Sequence, residues 1–204
     1  MLFGDTYEEV YRNFQWRIPD IYNVGVDVCD KWAADKYRLA LIYISPEGRE
    51  EKLTFWELKN LSNRLANALK ARGLGPGDRI GILLPQRPET LISHLAVYKL
   101  GAVALPLLTL FGAMAIEYRL TDSGARAVIT DAENLPKILE IRDRLPELEV
   151  ILAVDAEHGD EAFDFWSDLE RGSREFNPAP TRPDDPALII YTSGTTGQPK
   201  GTLH

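Results

Sequence analysis

The chain has 204 residues, 45% of them hydrophobic and 26% charged, the ordinary balance of a globular protein with length for one large domain or two small ones. A net charge of −8 repels nucleic acid, and no lysine–arginine cluster interrupts the acidic balance, so nucleic acid is excluded as a partner. The single cysteine, Cys29, rules out an intramolecular disulfide framework and fits a reducing, cytoplasmic setting.

Apolar runs of strand length alternate with amphipathic segments of helix length, which predicts an α/β fold with a largely parallel sheet flanked by helices. The aromatic-rich segment Tyr7 to Trp16 is expected to pack as a helix on the main body, and Met1 to Val10, with Asp5, Glu8 and Glu9 and no basic run, is not expected to be a signal peptide. Asp27 to Ala34 reads as a short helix. Ala40 to Ser45 reads as a strand that turns at Pro46-Glu47-Gly48 and pairs with the run ending at Leu53. Thr54 and Glu57 have the spacing of a capping box, and Leu58, Leu61, Leu65 and Leu69 share one face of the helix that follows, with Gly73 to end it.

Arg79 to Leu84 is a buried strand, and Pro88 opens a helix that Gly101 stops. A strand at Val103 to Leu107, a helix at Ala113 to Thr121 and a strand at Ala127 to Thr130 come next. The apolar stretch Gly101 to Ile116 is shorter than the ~20 residues that span a bilayer and contains Pro106, so no membrane span is expected. Asn134 to Arg144 reads as a helix, Val150 to Val154 as a strand, and Phe163 to Arg171 as a short helix. The Pro-rich connector 173–186 is a candidate boundary between an α/β subdomain, 1–172, and the start of a second one, 187–204. Ala187 to Ile190 is a short apolar strand.

That strand runs into Tyr191-Thr-Ser-Gly-Thr-Thr-Gly-Gln-Pro-Lys-Gly201. Gly194, Gly197 and Gly201 allow positive φ and close approach to a ligand. Thr192, Ser193, Thr195 and Thr196 carry hydroxyls that can donate to anionic oxygens, and the backbone N–H groups of such a loop can form an anion-binding concavity. Lys200 adds a positive charge, and Pro199 stiffens the chain before it. A loop of this kind suits a polyphosphate. It is not a Walker A loop, because Lys200 lies three residues beyond Gly197 and is followed by Gly201 rather than Ser or Thr. A flexible linker that binds nothing is the plainer alternative.

The stretch YTSGTTGQPKG resembles the phosphate-loop signature of the adenylate-forming superfamily, which includes acyl-CoA synthetases, peptide-synthetase adenylation domains and luciferases. Two weaker segments agree in order. Leu53-Thr54-Phe55-Trp56-Glu57-Leu58 with Gly77-Asp78-Arg79-Ile80 resembles the family's early L-T-[YF]-x-E-L helix and G-D-x-[IV] strand. Lys99-Leu100-Gly101-Ala102-Val103 through Pro106 resembles its K-x-G-A-[VI]-x-x-P-L segment. Tyr22 to Asp27, Leu110-Phe111-Gly112 and Glu117-Tyr118-Arg119-Leu120 look like the short- and medium-chain acyl-CoA synthetase branch.

The resemblance implies the first part of the N-terminal domain of an adenylate-forming enzyme. It implies a carboxylate–CoA ligase that uses ATP, Mg²⁺ and CoA on a small carboxylic acid, with homo-oligomers compatible. It places Thr192, Ser193, Gly194, Thr195, Thr196, Gly197 and Lys200 against the ATP phosphates. In relatives the adenine, ribose, metal and most CoA contacts follow this loop, so the expectation is that residues 1–204 alone complete neither half-reaction. No catalytic residue and no metal ligand is assigned within the chain. The alternatives are a naturally short ATP-binding module, one half of a split enzyme, or another adenylate-forming branch such as a peptide-synthetase adenylation domain.

Among other residues, Cys29 reads as a small packed hydrophobe rather than a nucleophile, since no general base can be assigned to it. His94 reads as a packed or partly exposed helix residue. His158 belongs to a solvated acidic loop, and Trp16, Trp32, Trp56 and Trp166 read as packing residues.

Overall fold

The computed structural model describes residues 4–155, 161–192 and 197–204. Helix α1 (Tyr7–Asn13) is capped by Thr6, whose side chain accepts from the Glu9 N–H, yet it buries no residue. Tyr7, Tyr11 and Trp16 are at least 74% exposed, so the expected packing of this segment on the body is not observed. The aromatic residues stack on one another instead, Tyr7 on Tyr11 and Phe14 edge-on to Trp16.

Asn23 caps α2 (Val24–Val28) and also donates through Nδ2 to the carbonyls of Tyr98 and Ala179. The helix expected at Asp27 to Ala34 is thereby displaced toward the N-terminus, and a 3-10 turn at Asp30–Trp32 takes up the remainder. Strands β1 (Leu39–Ile44) and β2 (Glu50–Thr54) form the antiparallel hairpin that the turn residues predict. Helix α3 (Phe55–Ala71) opens on a complete capping box between Thr54 and Glu57.

Strand β3 (Arg79–Leu83) leads to α4 (Pro88–Leu100), which has Pro at its first position and ends on Gly101 at φ +73°. Then come β4 (Val103–Pro106), α5 (Ala113–Ser123), β5 (Ala125–Asp131), α6 (Leu135–Ile141), β6 (Val150–Val154), β7 (Phe163–Asp164) and α7 (Phe165–Arg171). Strands β3 to β7 form one parallel sheet in the order β4-β3-β5-β6-β7. Short parallel strands joined by crossover helices must be covered on both faces. Their side chains alternate accordingly. Ile80, Ile82, Ala127, Ile129, Leu152 and Val154 pack against α3, α4 and α7. Leu83, Val128, Ile151 and Ala153 pack against α5 and α6. The expected fold class is the observed one.

The sequence order reverses around β3: α4 carries the chain to β4 on one side, and α5 carries it to β5 on the other. In open sheets of this kind ligands bind beyond the carboxyl ends of the strands, near such a reversal. Residues 173–186 lie along α3 and the end of α4. Asn63 and Asn67 donate to the carbonyls of Arg174 and Ser173, and Tyr22 and Thr181 exchange two hydrogen bonds. After them, β8 (Ile189–Thr192) pairs antiparallel with β9 (Lys200–Leu203).

Candidate functional site

Of the residues expected to meet a phosphate, Thr192 ends β8, Lys200 begins β9, and Gly197 lies between the two strands. Register pairs Ile189 with Leu203, Ile190 with Thr202, Tyr191 with Gly201 and Thr192 with Lys200. Thr192 and Lys200 therefore face each other across the last ladder position, and the glycine- and hydroxyl-rich segment 193–199 connects them. Ser193, Gly194, Thr195 and Thr196 lie outside the described residues. A parallel bridge between Ala104 and Leu188 sets the direction of β8. Because that bridge is parallel, β8 runs in the sense of β4, and the loop emerges at the carboxyl end of the sheet.

The glycines have separate physical reasons. Gly197 has φ +101° and open space where a Cβ would stand, so it supplies backbone conformation rather than room. A Cβ at Gly201 would come within 3.1 Å of both Ile189 and the Tyr191 ring, so this glycine admits close packing of β9 on β8. Thr192 and Lys200 are solvent-exposed. An ammonium and a hydroxyl on paired, exposed residues are groups that can meet an anion from solvent.

The stems of the hairpin rest on α5. Tyr118 Oη donates to the Pro199 carbonyl at 2.9 Å, and Tyr191 Oη donates to Asp122 Oδ2 at 2.5 Å. Burial and the bond to Asp122 push the Tyr191 hydroxyl pKa well above its usual range, so it stays protonated and remains a donor. The Arg119 guanidinium stands 4.1 Å from the Phe111 ring centroid and 5.6 Å from that of Tyr191. These supports link residues about 70 to 80 positions apart, and sequence patterning offered no signal for them.

Other singled-out side chains are structural. The Cys29 thiol is buried, and desolvation pushes its pKa up to about 11, the opposite of an activated nucleophile. His94 is half-buried, with Nδ1 3.3 Å from Tyr98 Oη, and burial lowers its pKa. His158 lies outside the described residues. Among the described residues no group of three or more His, Cys, Asp or Glu could hold a metal ion, and no helix is long and apolar enough to cross a membrane.

Residues 29–204 match the family described as AMP-binding enzyme. The chain belongs to that family. An acetyl-coenzyme A synthetase of Bacillus subtilis is 35% identical over 213 residues, which cover 98% of this chain and 37% of the relative. A mitochondrial acyl-coenzyme A synthetase of Mus musculus is 33% identical, over 98% of this chain and 36% of its own length. Tyrocidine synthase 3 of Brevibacillus parabrevis is 35% identical over 76% of this chain and 2% of its own length.

Among solved structures, a Brucella canis acyl-CoA synthetase superposes with a TM-score of 0.87 at 29% identity, covering 98% of this chain and 38% of its own. An anthranilate CoA ligase in complex with anthranoyl-AMP superposes with a TM-score of 0.82 at 31% identity, covering 92% and 35%. The chain spans little more than a third of the length of the curated relatives it matches first.

Proposed function

We propose that this chain is the N-terminal part of an AMP-forming acyl-CoA synthetase acting on a short- or medium-chain carboxylic acid. In the first step a carboxylate oxygen attacks the α-phosphorus of ATP, forming an acyl-adenylate as pyrophosphate leaves. In the second the CoA thiol attacks the acyl carbon and AMP leaves. The observation that supports this reading is the β8–β9 hairpin, whose last ladder pair, Thr192–Lys200, stands at the carboxyl end of a strand that runs parallel to β4.

On this reading Thr192, Ser193, Thr195 and Thr196 donate hydroxyls to the ATP phosphates, Gly194 and Gly197 let the backbone approach, and Lys200 offsets charge on the outer phosphates. Both reactants are anions, so offsetting their repulsion is the loop's contribution to the first step. Residues 1–172 would form the first subdomain and 187–204 the beginning of the second.

Support for the acyl-CoA branch comes from two acyl-coenzyme A synthetases that align over 98% of the chain, whereas the peptide synthetase aligns over 76%. ATP–pyrophosphate exchange tests the reading, with short and medium fatty acids, aromatic acids and amino acids offered to the 204-residue chain and to the chain joined to its downstream sequence. Exchange with small fatty acids in the longer protein alone is the expected result. Exchange driven by amino acids would move the chain to the peptide-synthetase branch, and exchange by the 204 residues alone would make it an autonomous module.

A further inference from the structure

Helix α5 touches both stems of the hairpin through residues one helical turn apart. Tyr118 holds the β9 side by its bond to the Pro199 carbonyl, and Asp122 holds the β8 side through the Tyr191 hydroxyl. The two tyrosine rings meet edge to face, with centroids 6.2 Å apart and planes at 79°. Among the described residues of the hairpin, Gly197, Gln198 and Lys200 to His204 are exposed, and a two-stranded ribbon is marginally stable by itself.

The carbonyl that Tyr118 engages belongs to the peptide unit joining Pro199 to Lys200. That unit is planar, and the proline ring fixes φ on its other side. Holding this one oxygen therefore sets the orientation from which the Lys200 side chain and strand β9 depart. We propose that Tyr118 is a positioning residue for the phosphate loop: its hydroxyl, with the Tyr191–Asp122 bond as counterpart, clasps the hairpin to α5 and aims Lys200. The inference rests on the reading of 192–200 as a phosphate-binding loop, but the clasp itself is tested separately from that reading.

Tyr118→Phe removes one hydroxyl and keeps the ring. In the 204-residue chain the loss of a single hydrogen bond is expected to speed amide hydrogen exchange of residues 200–203 about fivefold, with α3, α4 and the parallel sheet unchanged. Tyr191→Phe should act on the same residues. Unaltered exchange in the hairpin would overturn the clasp, and so would an equal rise across α5 and the sheet, because Tyr118 would then only stabilise its own helix.

In the chain joined to its downstream sequence, Tyr118→Phe should raise the KM for ATP in pyrophosphate exchange about tenfold. The KM for the acid should stay within about twofold. A merely structural defect lowers the active fraction, and hence kcat with both KM values unchanged; that outcome would also overturn the proposal. No exchange by the unaltered longer protein would instead refute the phosphate-loop reading, while hydrogen exchange still decides whether Tyr118 anchors the hairpin.

Discussion

Lys99 Nζ lies 2.6 Å from Asp30 Oδ1, with the lysine side chain fully buried and the aspartate 11% exposed. The ammonium also donates to Ser62 Oγ and Asn63 Oδ1, both at 2.8 Å, so one cation joins α4, α3 and the 3-10 turn at Asp30–Trp32. Burial lowers the Lys99 pKa, and the neighbouring Asp30 carboxylate opposes that shift. Breaking one partner of a buried pair leaves an uncompensated charge, whereas replacing both with apolar groups removes the desolvation cost as well. Asp30→Ala is therefore expected to lower stability by about 3 kcal/mol, and Lys99→Met together with Asp30→Leu to recover most of that loss. Urea denaturation of the two variants and the parent chain measures it. Equal losses for both would show that packing, not charge, governs the site.

Glycine 172 has an ordinary φ of −69°, so its reason is space rather than conformation. A Cβ there would meet the Arg64 carbonyl oxygen at 2.3 Å and its carbon at 2.9 Å, both backbone atoms that cannot turn away. The end of α7 is thus seated directly on the backbone of α3. Gly172→Ala should cost about 2 kcal/mol or more through overpacking. Gly112→Ala, with nothing within 4 Å of the added carbon, should stay within about 0.5 kcal/mol. Thermal melting of both variants checks the contrast, and a tolerated Gly172→Ala would mean that the two helices separate easily.

Burial holds the His94 imidazole below its ordinary pKa of 6.5. The unfolded chain then takes up a proton before the folded chain does. The contribution of His94 to stability is full above about pH 6.5 and declines as pH falls through 6.5 toward the lowered folded value. The depressed carboxylates Asp27 and Glu47 start from 3.8 and 4.5, so their losses come at lower pH. Denaturation midpoints between pH 7 and 5 should fall less steeply in His94→Gln than in the parent chain. Parallel slopes would assign the decline to other groups.

Local signals in the sequence carried much of the fold. The capping box at Thr54 and Glu57, the proline at the start of α4 and the left-handed Gly101 each act within one helical turn, and each sits where its chemistry demands. The apolar runs 80–83 of β3 and 150–154 of β6 are buried on both faces, as continuous hydrophobicity implies. Strand β9 gave no such signal, because Lys200 to Leu203 is exposed throughout and exists by pairing with β8. Aromatic content misled at α1, where the rings satisfy one another rather than the body. The burial of Lys99 had no local signal, because Asp30, Ser62 and Asn63 are brought around it by tertiary contacts. The loop's chemistry was visible in its residues, but its attachment to α5 spans too much sequence to be read from periodicity.

Lys200 supplies the test of the proposed chemistry itself. Its side chain is exposed and heads β9 opposite Thr192, so removing it should leave the hairpin ladder and the buried core intact. If it offsets charge on the outer phosphates, its absence weakens binding of ATP and stabilisation of the departing pyrophosphate together. Removing one preorganised donor from a developing anion typically lowers turnover about 10²-fold or more. Lys200→Ala, in the chain joined to its downstream sequence, is expected to lose about that factor in kcat/KM for ATP–pyrophosphate exchange, with the thermal midpoint unchanged. Lys200→Arg keeps the charge but spreads it over a planar fork, and should recover part of the rate. Full activity in Lys200→Ala would remove the lysine from the phosphate site and leave the hydroxyls and backbone of the loop to act without it.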